Sequence, residues 1–138
     1  MSLVRDLLER PADLPLTSKY TVVGGLVYLA AGVLLLVWPG AAQTLFRDRA
    51  FVGHEEGLMR AMGMTVMVIG WFYLFGARTG ARQFVAATVF DRGVLVPLVL
   101  LTLAFAGVFP HLFVAFAILD VALGLGAWWL LSRSSKEP

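Results

Sequence analysis

The chain has 138 residues and a formal net charge of +2; hydrophobic residues make up 59% of it, and charged residues only 14%. A soluble domain is about half apolar and about a quarter charged, so this composition excludes an ordinary soluble domain and predicts a single integral membrane domain over residues 1–138. The lack of cysteine excludes disulfides, thiolate metal sites and a cysteine nucleophile.

Four apolar runs follow one another along the chain. They are Tyr20–Trp38, Gly57–Gly76, Phe84–Phe109 and His111–Ser132. Each is close to the ~20 residues that an α-helix needs to cross a bilayer. A membrane β-barrel would need segments of alternating polarity, and residues 33–37 or 98–103 do not alternate. The predicted fold is all-α, a four-helix transmembrane bundle.

The segments before and after the first run carry weaker signals. Residues 3–10 place leucine and valine on one helical face and charges on the other, and Pro11 should end the helix. We therefore expect a short N-terminal helix in the membrane interface. Residues 41–52 mix apolar and charged side chains, which fits either a partly ordered amphipathic piece or a loop with scattered apolar residues.

The third run is too long for one perpendicular crossing, since 26 residues of helix measure ~39 Å. Either the span starts after Asp91 and Arg92, with Asp91 near the helix N-cap, or a continuous helix carries both charges into the membrane. Pro97 should kink or loosen the helix in both cases.

The basic residues predict the orientation. Eight lie in the N-terminal segment, the second loop and the C-terminal tail, against two, Arg47 and Arg49, in the first loop, with Arg60 left aside as part of a helix. Basic residues collect in cytoplasmic loops, so both termini are expected in the cytoplasm. Arginine outnumbers lysine nine to two, a bias that favours a bacterial inner membrane protein.

Asp120 is the sharpest functional signal. It lies near the middle of the fourth run, where a carboxylate costs several kcal/mol to insert. Ala117, Gly124 and Ala127 share its helical face and allow another helix to come close. Three interpretations stay open: a polar residue that orients two helices, a ligand, ion or proton site, and a contact to another protein.

Two further groups of charges enter the predicted spans. Arg60 heads a face with Gly63 and Gly70, and Glu56 lies four residues before it, so a helical ion pair and binding of an anionic group are both possible. Arg92 is close enough in depth to Asp120 for a long side chain to reach it. An Arg92–Asp120 ion pair is therefore a specific hypothesis, with Asp91 in the same polar cluster.

A metal site is disfavoured. His54, Glu55, Glu56 and His111 all fall at the outer face, but the histidines come from different loops and lack the i, i+4 spacing of a helical zinc motif. No catalytic residue set can be assembled, which favours a non-enzymatic protein without a cofactor. With no basic stripe among aromatics, nucleic acid is excluded as a partner, and membrane lipids, a second copy or another membrane protein remain.

Glu56 and Arg60 with Gly63, Asp91-Arg92 and Leu119-Asp120 carry a resemblance. In layout the chain resembles small bacterial four-helix membrane families of unassigned function, and more distantly DoxX-like proteins and a scaffold family of sterol synthesis. The scaffold likeness implies a tether for membrane enzymes. The favoured function is thus a non-enzymatic accessory or scaffold protein. The alternative is binding or transport of a lipid or hydrophobic small molecule by Arg60, Arg92 and Asp120, closed by Trp71, Tyr73 and Phe116.

Overall fold

A computed structural model describes residues 3–9 and 13–135, without the side chain of Arg5. Every regular element in these ranges is helical. In chain order they are α1 (Leu3–Leu8), α2 (Leu16–Val37), α3 (Ala41–Phe46), α4 (Glu55–Ala77), α5 (Arg82–Phe90), a π-helical turn (Asp91–Leu95), α6 (Val96–Phe105) and α7 (Pro110–Ser134).

Four helical segments are long and apolar enough to cross a membrane: α2, α4, the continuous stretch Arg82–Phe105, and α7. They begin up to four residues before the predicted apolar runs, because polar residues such as Thr17 and Ser18 continue the helix. The third run was predicted to reach Phe109, but α6 ends at Phe105. Gly107 and Phe109 have φ values of 81° and 40°, and this left-handed backbone stops the helix.

The continuous helical stretch Arg82–Phe105 distinguishes between the two predicted starts of the third span. Asp91 and Arg92 lie inside it, so the alternative with Asp91 near an N-cap is wrong. The Val96 amide donates to the Asp91 carbonyl, five residues back. Pro97 follows directly and has no amide hydrogen to continue the helical ladder. The loosening expected at Pro97 takes the form of this π turn, which inserts one extra residue into the helix.

Helices α2 and α4 are antiparallel and in backbone contact. A Cβ on Gly25 would lie 2.6 Å from the Leu74 nitrogen, and one on Gly70 would lie 2.5 Å from the Leu29 nitrogen. Nearer the C-terminal end of α2, a Cβ on Gly63 would lie 2.6 Å from the Leu36 nitrogen. Only glycine permits this approach, so the two helices form the tightest pair of the bundle.

The other long helices complete a ring in the order α4, α2, α7 and then the α5–α6 stretch. We call the end with Leu16, Ala77, Arg82 and Ser134 the lower end, and the end with Val37, Glu55 and Pro110 the upper end. Among the described residues, α4 and α6 hardly contact each other, so the ring is loosest between them.

The outer faces of the long helices are apolar and exposed. Only 22–33% of the most apolar window of each long helix is buried within the chain. Large side chains such as Leu26, Val68, Leu98, Ile118 and Trp128 are between 41% and 65% exposed. An apolar surface of this extent needs an apolar environment or a partner to cover it.

The short helices lie at the two ends. Arg78 donates to the backbone oxygens of Leu8 and Glu9 at 3.4 and 3.1 Å, which ties α1 to the lower end. At the upper end, Ala41 and Ala42 of α3 are fully buried. The first loop is therefore the partly ordered piece among its two predicted forms.

Candidate functional site

Arg92 is fully buried at the π turn, in the centre of the bundle. Its guanidinium carbon lies 4.2 Å from the ring centroid of Tyr73 and 5.1 Å from that of Tyr28. Gly24 leaves the room for it, since a Cβ there would lie 2.8 Å from Arg92 Nη2. A guanidinium over aromatic faces gains about 2 kcal/mol or more when desolvated. The two tyrosine rings thus stabilise the buried positive charge of Arg92.

Asp91 precedes Arg92 in the π turn and is partly buried. The Tyr73 hydroxyl donates a hydrogen bond to its Oδ2. Tyr73 therefore contacts both charged side chains: its ring packs on the Arg92 guanidinium, and its hydroxyl donates to Asp91. Tyr28 stands edge-on to Tyr73, with ring centroids 5.4 Å apart.

Asp120 is 1% exposed, near the middle of α7. Neither of its carboxyl oxygens has a hydrogen-bond partner within residues 3–9 and 13–135. The small residues on its face, Ala117, Gly124 and Ala127, are all buried. A Cβ on Gly124 would lie 3.3 Å from both Arg92 Cβ and the Gly93 nitrogen, so α7 packs directly on the π turn.

The predicted Arg92–Asp120 ion pair is wrong. All three guanidinium nitrogens of Arg92 also have no hydrogen-bond partner in the described part of the chain. Although the start of the Arg92 side chain lies against α7 at Gly124, its guanidinium extends toward Gly24 and Tyr73 on α2 and α4. The two charged groups lie in one interior but their polar atoms do not meet.

A cavity of about 160 Å³ reaches Asp120. Its lower part is lined by four residues with polar groups: Tyr28, Tyr73, Asp91 and Asp120. Toward the upper end its walls are entirely apolar: Met62, Val66, Ile69, Val96, Leu100, Phe113 and Phe116. The cavity lies where α4 faces α6, the loosest side of the ring. It is an apolar slot: the polar atoms of Tyr28 and Asp120 are themselves buried behind its surface.

Arg60 and Glu56 do not belong to this cavity. Arg60 pairs with Glu56 at 3.0 Å and donates to the Leu36 and Val37 carbonyls at 2.7 and 3.3 Å. These carbonyls end α2, so Arg60 satisfies backbone acceptors that the helix leaves free. The sequence placed Arg60 in one polar set with Arg92 and Asp120, whereas in the structure it holds the upper ends of α2 and α4 together.

Three of the four outer-face residues considered for a metal have separate partners. Glu55 binds Arg49 and Glu56 binds Arg60, while His111 Nδ1 lies 2.9 Å from Asp48 Oδ1. The hydrogen bond to Glu55 raises the pKa of Arg49. His54 precedes α4 and is exposed. In the described ranges, no three histidine or carboxylate side chains are placed to hold a metal ion.

Sequence reasoning missed two residues. Tyr28 was not singled out, although a tyrosine one turn after Gly24 in an apolar run is a polar group that needs a partner. Asp48 lies among the mixed apolar and charged residues of the first loop, but its side chain is fully buried and accepts from the His111 and Leu112 amides at 3.0 and 2.8 Å. Of the predicted aromatic lining, Tyr73 and Phe116 line the cavity, whereas Trp71 is 46% exposed and packs on Phe75.

Comparison of the chain with protein-family models, with curated proteins and with solved structures finds no match.

Proposed function

We propose that this chain is a multi-pass membrane protein that binds a small hydrophobic molecule in the cavity between α4 and α6. The observation that carries the proposal is an apolar cavity of about 160 Å³ beside a buried carboxylate, Asp120, that has no partner in the described residues. Small-molecule sites are concave and have mostly apolar walls, and this cavity has both properties.

The exposed apolar faces support insertion of the four long helices into a bilayer. The distribution of basic residues supports cytoplasmic termini, and the excess of arginine over lysine supports a bacterial inner membrane. Asp120 then lies at membrane depth, where ionisable residues are costly and usually serve a function.

The loose contact between α4 and α6 supports entry from the side. A hydrophobic ligand dissolved in the bilayer would reach the slot between these helices without crossing either membrane surface. The tightly packed α2–α4 pair, with its glycine contacts, offers no such path.

A scaffold protein is expected to have a different interior. It calls for a closed core in which Asp120 is paired with a cation or a hydrogen-bond donor. The described interior has instead a cavity at Asp120 and no donor to it. Because the interior is not closed around a paired Asp120, ligand binding fits it better than the scaffold function that the sequence favours.

The test compares two tryptophan substitutions on α6. Leu100→Trp fills the cavity from its apolar wall, whereas Leu98→Trp adds the same bulk at a side chain that is 65% exposed. Native mass spectrometry of protein released from nanodiscs should find a co-purified small molecule in wild type and Leu98→Trp, and lose it in Leu100→Trp. Equal spectra for all three, with a retained protein partner, would contradict ligand binding and favour the scaffold.

A further inference from the structure

The cavity between α4 and α6 adjoins a second cavity on its upper side. The second cavity has a volume of about 180 Å³, and Met62 and Phe113 line both cavities. We call the two together the long groove. The chemical class of its ligand, which rests on the proposed binding function, follows from its length and its polarity. The groove follows one face of α4, on which lining residues recur every three or four positions: Glu55, Met59, Met62, Val66, Ile69 and Tyr73.

The long groove extends over much of the thickness of a bilayer. From Glu55 to Tyr73 it measures about 27 Å along α4, at ~1.5 Å per residue, against ~30 Å for the hydrocarbon core. Its two parts have volumes of only about 160 and 180 Å³, so the groove is narrow as well as long. Met62 at the junction has an unbranched, adaptable side chain. A single extended chain matches this shape, whereas a compact or two-chain molecule does not.

The two ends of the long groove differ in polarity. The lower cavity presents only apolar surface: the polar atoms of Tyr28 and Asp120 are buried, and the Tyr73 hydroxyl donates to Asp91. Among the described residues, the charged side chain that lines the upper cavity is Glu55, at the start of α4. The lower end therefore suits the apolar end of a chain, and a polar head belongs at the upper end.

Glu55 belongs to an ion pair, so the upper end offers both signs of charge. Arg49 donates to the two carboxylate oxygens of Glu55 at 2.7 and 2.5 Å. The Arg49 guanidinium also lies 5.1 Å from the ring centroid of Phe109, which lines the upper cavity. The side chains of Arg49 and Glu55 are 45% and 26% exposed, so a head group can reach both. Glu55 would repel an anionic head and Arg49 a cationic one, whereas a hydroxyl can accept from Arg49 and donate to Glu55.

We propose that the long groove binds a single-chain alcohol, a lipid with one hydrocarbon chain and a hydroxyl head. The hydroxyl lies at the Arg49–Glu55 pair, and the end of the chain lies between Ile69 and Leu100 in the lower cavity. Packing along α4 favours the chain, because lipid tails are as apolar as the groove and burial alone gives no preference. Linear and isoprenoid alcohols share this chemistry.

Photocrosslinking tests the direction of the chain. Two tetradecan-1-ol probes carry a diazirine, one near the hydroxyl and one near the chain end, and the protein is held in phosphatidylcholine nanodiscs. Peptide mass spectrometry should place the first label near Phe109 and the second near Ile69. Leu100→Trp should reduce the chain-end label about tenfold by overpacking the lower cavity, and Leu98→Trp, at an exposed position, should leave it unchanged. Interchangeable positions of the two labels would overturn the inference.

Competition against the chain-end probe tests the head group. In wild type, tetradecan-1-ol should compete about tenfold more strongly than tetradecyl sulfate or tetradecyltrimethylammonium at equal mole fraction in the bilayer, since each ion meets a like charge. Glu55→Gln leaves Arg49 without its carboxylate, and the sulfate should then compete best. Glu56→Gln, whose partner Arg60 lies outside the groove, is the control and should keep the wild-type order. A charged competitor equal to the alcohol in wild type, or a sulfate that gains nothing in Glu55→Gln, would contradict the hydroxyl head.

Native mass spectrometry separates failure of this inference from failure of the binding function. The mass of a co-purified alcohol also identifies its chain as linear or isoprenoid. If Leu100→Trp removes a co-purified molecule but the chain-end probe does not label the groove in wild type, the binding function stands and the single-chain inference is wrong. If wild type retains no small molecule and takes no label, both are wrong.

Discussion

Arg92 and Asp120 are equally buried, but the bundle accommodates them by different means. The guanidinium has two aromatic faces, and Gly24 leaves space for it on α2. The carboxylate has only small residues around it on its own helix and no donor among the described side chains. Arg92 is therefore a stabilised part of the interior, whereas Asp120 is a buried polar group without a hydrogen-bond partner in the described part of the bundle.

Asp48 should be essential for the upper end of α7. Its carboxylate accepts from the amides of His111 and Leu112, at a helix start that has no other side-chain cap. Loss of such a cap costs about 1–2 kcal/mol. We expect Asp48→Ala to lower the free energy of unfolding by that amount, measured by denaturation in mixed micelles. Asp13→Ala, at an exposed position, is the control and should leave unfolding unchanged.

At the scale of the helices, two features set the geometry of the bundle. The glycines of α2 and α4 bring those helices into backbone contact. The π turn before Pro97 inserts one extra residue between α5 and α6, and it is here that Asp91 and Arg92 turn inward toward the tyrosines. The closely packed α2–α4 pair lies on one side of the cavity, and the loosened third helix lies on the other.

The α2–α4 contact should tolerate no added methyl group. In Gly70→Ala the new carbon would lie 2.5 Å from the Leu29 nitrogen, and backbone cannot rotate away as a side chain can. The helices must separate, and we expect a loss of about 1–3 kcal/mol in denaturation by SDS. Gly57→Ala in the same helix meets nothing within 4 Å. This control should be neutral or up to about 1 kcal/mol more stable because alanine favours helix; equal effects of both variants would contradict the close contact.

At the scale of the whole molecule, the proposed insertion into a bilayer implies a defined orientation of the bundle. Both its lower and upper ends carry arginines, and the four apolar segments between them have exposed outer faces on every side. The proposed orientation places the lower end, with Arg78, Arg82 and Arg133, in the cytoplasm. A ligand that enters between α4 and α6 then comes from within the membrane.

Cysteine labelling can test this orientation without background, because the chain has no cysteine. Val52 is 69% exposed in the upper loop, and Thr79 is exposed in the lower loop. In right-side-out vesicles, a membrane-impermeant maleimide should modify Val52→Cys directly and Thr79→Cys only after permeabilisation. The opposite pattern would reverse the orientation, and labelling of both in sealed vesicles would contradict a four-span topology.

The sequence by itself determined the helical class, the four apolar segments and most residues that needed an explanation. These properties depend on composition and on distance along the chain, which a sequence displays directly. The small-residue face of Asp120 and the Glu56–Arg60 pair were also visible, because their members lie on one helix at fixed spacing.

Only the tertiary structure decided which charges meet. The long Arg92 side chain could extend across the bundle in more than one direction. Its guanidinium contacts Tyr28 and Tyr73 instead of Asp120 because of the rotation of the helices and the space at Gly24. The same holds for Asp48, whose partners His111 and Leu112 lie far away in the sequence. The cavity is likewise a property of the assembly, since it forms where two helices distant in the chain fail to pack closely, and no local pattern encodes that gap.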